Sequence, residues 1–139
     1  MNKPFTPNID SIHEAGDFLM NSCHGLAHSA GWWTDLKTGE DLTSEAFEPP
    51  KRNVGELLCL VHSEISEAME GARKGLMDDK LPHRLMLEVE LADAAIRIFD
   101  MAGGLGLDIG GAIAEKLAFN ASRADHKPEH RKADGGKKF

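Results

Sequence analysis

VHSEISEAMEGARKG (residues 61–75) and LMLEVELADAAIRIFD (residues 85–100) decide how this chain is read. Each has the apolar spacing of a helix, and each carries two acids three residues apart. They are Glu64 and Glu67 in the first stretch, Glu90 and Asp93 in the second. That spacing puts the two acids of a pair on one side of a helix, roughly a turn apart. Four carboxylates converging from two helices repel one another unless a cation lies between them.

The helical phases sharpen this expectation. The first stretch belongs to a helix predicted over 54–74, with Asn53 and Glu56 as cap residues and Gly75 as the stop. Advancing about 100° per residue, Val54, Leu57, Leu58, Val61, Ile65, Ala68, Met69 and Ala72 fall on one broad apolar face, and Glu64 lies on its flank. An ionised carboxylate at a core edge is costly unless it is paired or holds a metal ion. The second stretch belongs to a helix predicted over 82–101, with Pro82 in its first turn and Gly103–Gly104 closing it. Leu85, Val89, Ala92, Ile96 and Phe99 make one apolar face and Leu87, Leu91, Ala94 and Ile98 another, with Glu90, Asp93, Arg97 and Asp100 between them. A helix that is apolar on two sides is buried between layers or at a subunit interface, so its polar stripe must line something.

Working outward, two further helices complete a predicted all-α, four-helix domain over residues 1–125, followed by a basic tail over 126–139. A helix over 10–30 starts at a capping-box pattern, Ser11 with Glu14, and ends at Gly31. His24 and His28, four residues apart beside Cys23, either ligate a metal or form a polar helix edge. A helix over 109–124 starts at Asp108 and carries Lys116, Asn120 and Arg123 on one face. That trio can grip phosphate oxygens or can be a solvated edge. Between the first two helices lies a long loop, 31–52, holding Trp32 and Trp33. Each indole either stacks on a planar ligand such as a nucleobase or plugs the end of the core, and one in each role is expected. GGLGLDIGG (103–111) has no strand before it and no Lys-Ser/Thr after it, so it reads as a helix-to-helix turn rather than a phosphate loop.

Composition excludes several classes. The 139 residues carry a net charge of −7, which argues against nucleic-acid binding by bulk electrostatics. The charge is uneven: residues 127–139 stand at +3 and the rest at −10. No apolar run approaches the ~20 residues that cross a bilayer. The segment MNKPFTPNID lacks the apolar centre of a signal peptide, so a cytoplasmic protein is expected. Cys23 and Cys59 have no metal-ligand spacing and are predicted to be buried free thiols.

Oxygen ligands select hard cations, so Mg²⁺, with Mn²⁺ as substitute, fits the four acids. Di-iron carboxylate bundles use Glu-x-x-His pairs, and no glutamate here has a histidine three residues on. An acidic metal site together with a cationic stripe suits displacement at phosphorus.

HSEISEAMEG, then ELADAAIRIFD, then EKLAFNASR resembles the all-α MazG-type nucleotide pyrophosphohydrolases, over roughly residues 53–123. The shared pattern is ExxE, a gap, ExxD, then K…N..R, and the ending DGGKKF resembles short single-domain members common in bacteriophages. The resemblance implies Mg²⁺ on Glu64, Glu67, Glu90 and Asp93, with Lys116, Asn120 and Arg123 on the phosphates. It implies hydrolysis of a nucleoside triphosphate to monophosphate and pyrophosphate by a dimer or tetramer whose helices pack across subunits. A lean toward dGTP or GTP also comes only from the resemblance. The alternatives are dUTP or dCTP, phosphoribosyl-ATP, or a non-catalytic helical oligomer that binds nucleotide.

Overall fold

The computed structural model describes residues 5–137 and 139, so Lys138 of the basic tail lies outside it. The fold is all-α. Its elements are α1 (Ile9–Ser29), α2 (Val54–Lys74), α3 (Met86–Gly104), α4 (Ile109–Ser122), a 3-10 turn (Ala124–His126) and a short α5 (Pro128–Lys132). No strand occurs among the described residues, only isolated bridges between Thr34 and Asp41 and between Met77 and Leu85. None of the described helices is long and apolar enough to cross a membrane. By contacts the chain forms two units. One is Leu19–Leu107, and the other combines Met1–Phe18 with Asp108–Phe139.

Local chemistry accounts for most of the boundaries. Asn53 caps α2 by accepting the backbone N–H of Glu56, and Gly75 ends the helix in the left-handed conformation at φ 61°. Asp108 caps α4 by accepting from the Gly111 N–H at 2.8 Å. The start of α1 differs from expectation: Asn8, not Ser11, is the cap, and its Oδ1 accepts from the Ser11 N–H. The start of α3 differs more. Asp78 is buried and accepts the backbone N–H groups of Lys80 and Leu81, which winds 76–85 into a turn. Pro82 falls inside that turn, and the helix begins only at Met86, whose N–H is taken by the Leu76 carbonyl.

In the Leu19–Leu107 unit, α2 and α3 form an antiparallel hairpin. Gly71 makes the close approach possible, because a Cβ there would lie 2.9 Å from the Met86 side chain. The buried stripe of α2 is Leu57, Glu64, Ala68 and Gly71. Glu64 therefore sits in the middle of the packed face, not on its flank as the phases suggested. Trp33 is fully buried and packs with Leu57 and Leu105 at the other end of the hairpin. Gly104 yields the space for the indole, since a Cβ there would come within 2.1 Å of the Trp33 ring.

Segment 31–52 is tied down throughout. The Leu42 N–H donates to the Trp33 carbonyl and the Ser44 N–H to the Gly104 carbonyl. Asp35 and Asp41 each cap a turn, and the N–H groups of Lys37 and Thr38 at Asp35, and of Thr43 at Asp41, hold both carboxyls below their usual range.

The apolar core is small, and large side chains remain on the surface. Leu58, Ile65 and Met69 of α2 are 45–59% exposed. So are Leu85, Leu91 and Ile96 near and on α3, at 47–52%. The two apolar faces read for α3 are thus largely outside this chain's own core. Cys23 is half-buried and Cys59 exposed, and both are free, so burial of both thiols is not what the fold provides. Burial, then the Asp100 charge, pushes the Cys23 thiol up.

In the other unit, the first half of α1 and the start of α4 meet backbone to backbone. A Cβ at Gly16 would lie 2.5 Å from the Gly110 Cα.

Candidate metal centre

The hairpin builds a cleft from two facing rows. α2 supplies Leu57, Leu60 and Glu64, residues i, i+3 and i+7 of one face; α3 supplies Asp93, Ile96, Arg97 and Asp100. With Trp32, Arg52 and Glu56 at one end, these residues enclose about 400 Å³.

Three of the four expected acids converge. Carboxylate oxygens of Glu64, Glu90 and Asp93 lie within 4.8 Å of one another. Glu64 and Glu90 are buried, at 7% and 8% exposure. Desolvation first, then a hydrogen bond with Glu64 and the charges of Glu67, Glu64 and Asp93, push the Glu90 carboxyl up to about 7. Asp93 is also raised, by desolvation and the Glu64 charge, against the pull of Arg97 and Lys80. Burial and mutual repulsion thus favour the protonated form of Glu90 in the cation-free protein.

Glu67 is the exception. It is exposed and stands outside the group, although its charge is felt at Glu90. A spacing of three advances about 300° around a helix, which is about 60° short of a full turn. With Glu64 centred on the packed face, that offset carries Glu67 to the solvent side.

Arg97 is the cation that the spacing of the acids did not reveal. Its Nε donates to Glu64 Oε1 at 2.5 Å. Membership of the Glu90–Asp93–Arg97–Asp100 stripe was the available signal, but its partner lies 33 residues away. The last residue of that stripe is structural: Asp100 Oδ1 accepts from Trp33 Nε1 at 2.8 Å and meets His24 Nδ1 at 3.0 Å.

The two tryptophans differ in burial. Trp33 is a core plug with its N–H satisfied by Asp100, and the Arg52 guanidinium lies 4.9 Å from its ring centre. It has no surface for a ligand. Trp32 is 70% exposed and lines the cleft, while its carbonyl accepts from Arg52 Nη1. His24 and His28 do not share a ligand: His24 meets Asp100, and His28 Nε2 meets Asp41 at 3.1 Å.

Lys116, Asn120 and Arg123 belong to the other unit. Lys116 Nζ lies 4.9 Å and the Arg123 guanidinium 5.8 Å from the centre of the Phe119 ring. Arg123 also makes a forked pair with Asp125 through Nε and Nη2. Asn120 Oδ1 is shielded from solvent and accepts no hydrogen bond from the described residues. That unit has its own His13–Asp17–Asp108 group, with His13 Nε2 3.2 Å from Asp108 and 3.5 Å from Asp17. Asp108 is already engaged in capping α4.

The donor set of Glu64, Glu90 and Asp93 fits a small hard cation. Two ligands on opposite sides of Mg²⁺ are about 4.2 Å apart. Neighbouring ligands are about 3 Å apart, and three oxygens already within 4.8 Å of one another reach those separations by side-chain rotation about a shared ion.

Comparison with protein-family models, curated proteins and solved structures finds no match.

Proposed function

We propose that this chain is a Mg²⁺-dependent hydrolase that cleaves a nucleoside triphosphate to the monophosphate and pyrophosphate. The observation that carries the proposal is the convergence of Glu64, Glu90 and Asp93, two of which line the cleft, with Glu90 pushed up to about 7. Carboxylates held together at this cost in ionisation are suited to a divalent cation. Glu64, Glu90 and Asp93 would hold Mg²⁺, and Mn²⁺ would substitute. The ion would neutralise phosphate oxygens and favour attack by water at phosphorus.

The chain's own residues supply the rest. Leu57, Leu60 and Ile96 line the cleft beside the acids and exclude water from part of it. Trp32 offers an exposed ring at the far end for stacking of a base. Glu67 lies within electrostatic reach of Glu90 and serves as an outer ligand or proton acceptor. Phosphate contacts from Lys116, Asn120 and Arg123 are part of the proposal by resemblance to MazG-type enzymes alone, as is the preference for a guanine nucleotide.

Assembly is part of the same reading. The exposed rows Leu58–Ile65–Met69 and Leu87–Leu91–Ile98 are the kind of apolar surface that a second copy covers. A non-catalytic helical oligomer is the second reading, favoured by those same rows.

The test is turnover. The protein is incubated with each common NTP and dNTP and Mg²⁺, and monophosphate and pyrophosphate are followed for the parent and for Glu64→Gln. Turnover in the parent and a loss of at least a hundredfold in the variant are expected (~2.7 kcal/mol of transition-state stabilisation). No turnover of any nucleotide selects the non-catalytic reading.

A further inference from the structure

We propose that Arg97 is an exchangeable counter-ion of this cleft. It pairs with Glu64 in the cation-free protein, and it turns to a phosphate of the nucleotide when a divalent cation takes Glu64. The inference rests on the proposed function and adds to it a phosphate-binding residue.

Three observations carry it. First, the pair is asymmetric in burial: the Glu64 side chain is 9% exposed and that of Arg97 42%. The carboxylate is rooted in the packed face, while the guanidinium reaches the cleft from a flexible stem. Second, a single donor, Nε, makes a side-chain hydrogen bond among the described residues. A guanidinium has five N–H donors in a planar fork suited to phosphate oxygens, so the Nη groups are available to an anion in the same cavity. Third, Arg97 is placed between the acids and the aromatic end. It stands one turn beyond Asp93 on α3, about 6 Å along the axis. The direction is toward Asp100, whose carboxylate holds Trp33, the neighbour of Trp32. A nucleotide whose base reaches Trp32 and whose phosphates reach the acids must pass Arg97.

Charge decides the exchange. Three ionised carboxylates and Arg97 sum to −2, which one divalent cation brings to zero. The cation and the guanidinium then repel one another across Glu64, by an interaction that is strong in a partly dry cleft. A triphosphate brings the negative charge that relieves this repulsion, and the forked guanidinium meets it. No bond is made or broken in the exchange. Ion pairs are traded.

The test uses opposite signs. Mn²⁺ binding to the full-length protein is measured without nucleotide by titration calorimetry, for the parent, Arg97→Gln and Arg97→Lys. Binding of a non-hydrolysable α,β-methylene nucleoside triphosphate is then measured in saturating Mg²⁺. Arg97→Gln is expected to bind Mn²⁺ roughly tenfold more tightly, because a competing positive charge is gone. It is expected to bind the nucleotide analogue at least tenfold more weakly. Arg97→Lys keeps the charge but loses the fork, so its Mn²⁺ affinity stays near the parent's and its analogue affinity falls between the other two. A purely structural Arg97 would make both affinities fall together in Arg97→Gln, and that result overturns the proposal. So does Mn²⁺ binding unchanged in Arg97→Gln, or an analogue affinity equal to the parent's. If Arg97→Gln does not fold, Arg97→Lys decides: parent-like analogue affinity overturns the proposal. A parent that hydrolyses nucleotides with an Arg97→Gln variant of unchanged affinities sinks this inference alone. A parent that binds no Mn²⁺ sinks it together with the proposed function.

Discussion

Replacing Glu90 by glutamine should stabilise the cation-free protein at alkaline pH, although it removes a site residue. Glu90 is raised from 4.5 to about 7 by desolvation and by neighbouring carboxylates. Its folded form therefore holds a proton more tightly than its unfolded form. The stability this contributes is fully present below about pH 4.5 and is lost as pH rises to about 7. The interval between the two values corresponds to at most about 3.4 kcal/mol. Water reaching the open side of the cleft screens part of this, so ~1.5 kcal/mol is expected. For a domain of this length 1 kcal/mol moves Tm by about 3–5 °C. In EDTA, Glu90→Gln should therefore melt ~5 °C above the parent at pH 8 and within about 1 °C of it at pH 4.5. Glutamine keeps the shape and can donate a hydrogen bond to Glu64, so packing is preserved. Adding Mg²⁺ should reverse the order at pH 8. A cation at about a thousand times its Kd adds ~4.1 kcal/mol to the parent and much less to a variant lacking one ligand, which outweighs the variant's ~1.5 kcal/mol advantage. The assay is thermal melting followed by circular dichroism at fixed protein concentration, in EDTA and in Mg²⁺, across pH 4.5–8. A variant that melts at or below the parent's Tm in EDTA at pH 8 would refute the argument that these acids repel one another.

Other outcomes follow from the same geometry. Trp32→Ala should raise nucleotide KM roughly tenfold, as expected for loss of one stacking surface, with Tm unchanged. Trp33→Ala should cost ~3–5 kcal/mol of stability by denaturant titration, because Trp33 is fully buried and holds Asp100. Equal Tm losses in the two variants would contradict the division of roles. Met69→Asp, at a position 59% exposed, should shift the sedimentation coefficient toward that of one chain; a parent that already sediments as one chain removes the assembly proposal. Asp78→Ala should lower stability by ~2 kcal/mol, since two backbone donors lose a buried acceptor; a loss under ~0.5 kcal/mol would show that the turn before α3 does not depend on that side chain.

The fold was legible where the determinants are local. Asn53, Glu56 and Gly75 bound α2 because a cap and a left-handed glycine act within a few residues of themselves. The start of α3 was misread for a related reason. Pro82 is compatible with a first helical turn, but Asp78, four residues earlier, already holds the backbone in a turn of its own. Helical phase placed Glu64 near the core, yet its own packing partner, Arg97, is 33 residues away, and no spacing rule reaches that far. The same limit applies to Trp33 and Asp100, separated by 67 residues. Adjacent tryptophans carry no local mark of which faces inward. Glu67 shows the opposite failure: the ExxE pattern groups it with Glu64, but centring Glu64 on the packed face leaves Glu67 in solvent.

The most direct test follows the phosphorus atoms. The parent protein, Mg²⁺ and a nucleoside triphosphate are observed by ³¹P NMR as the reaction proceeds, starting with dGTP and continuing through the other common nucleotides. Monophosphate and pyrophosphate rising together in equal amounts, and neither appearing in excess EDTA, is the expected result. Diphosphate and orthophosphate as products, or every triphosphate left intact, would contradict it.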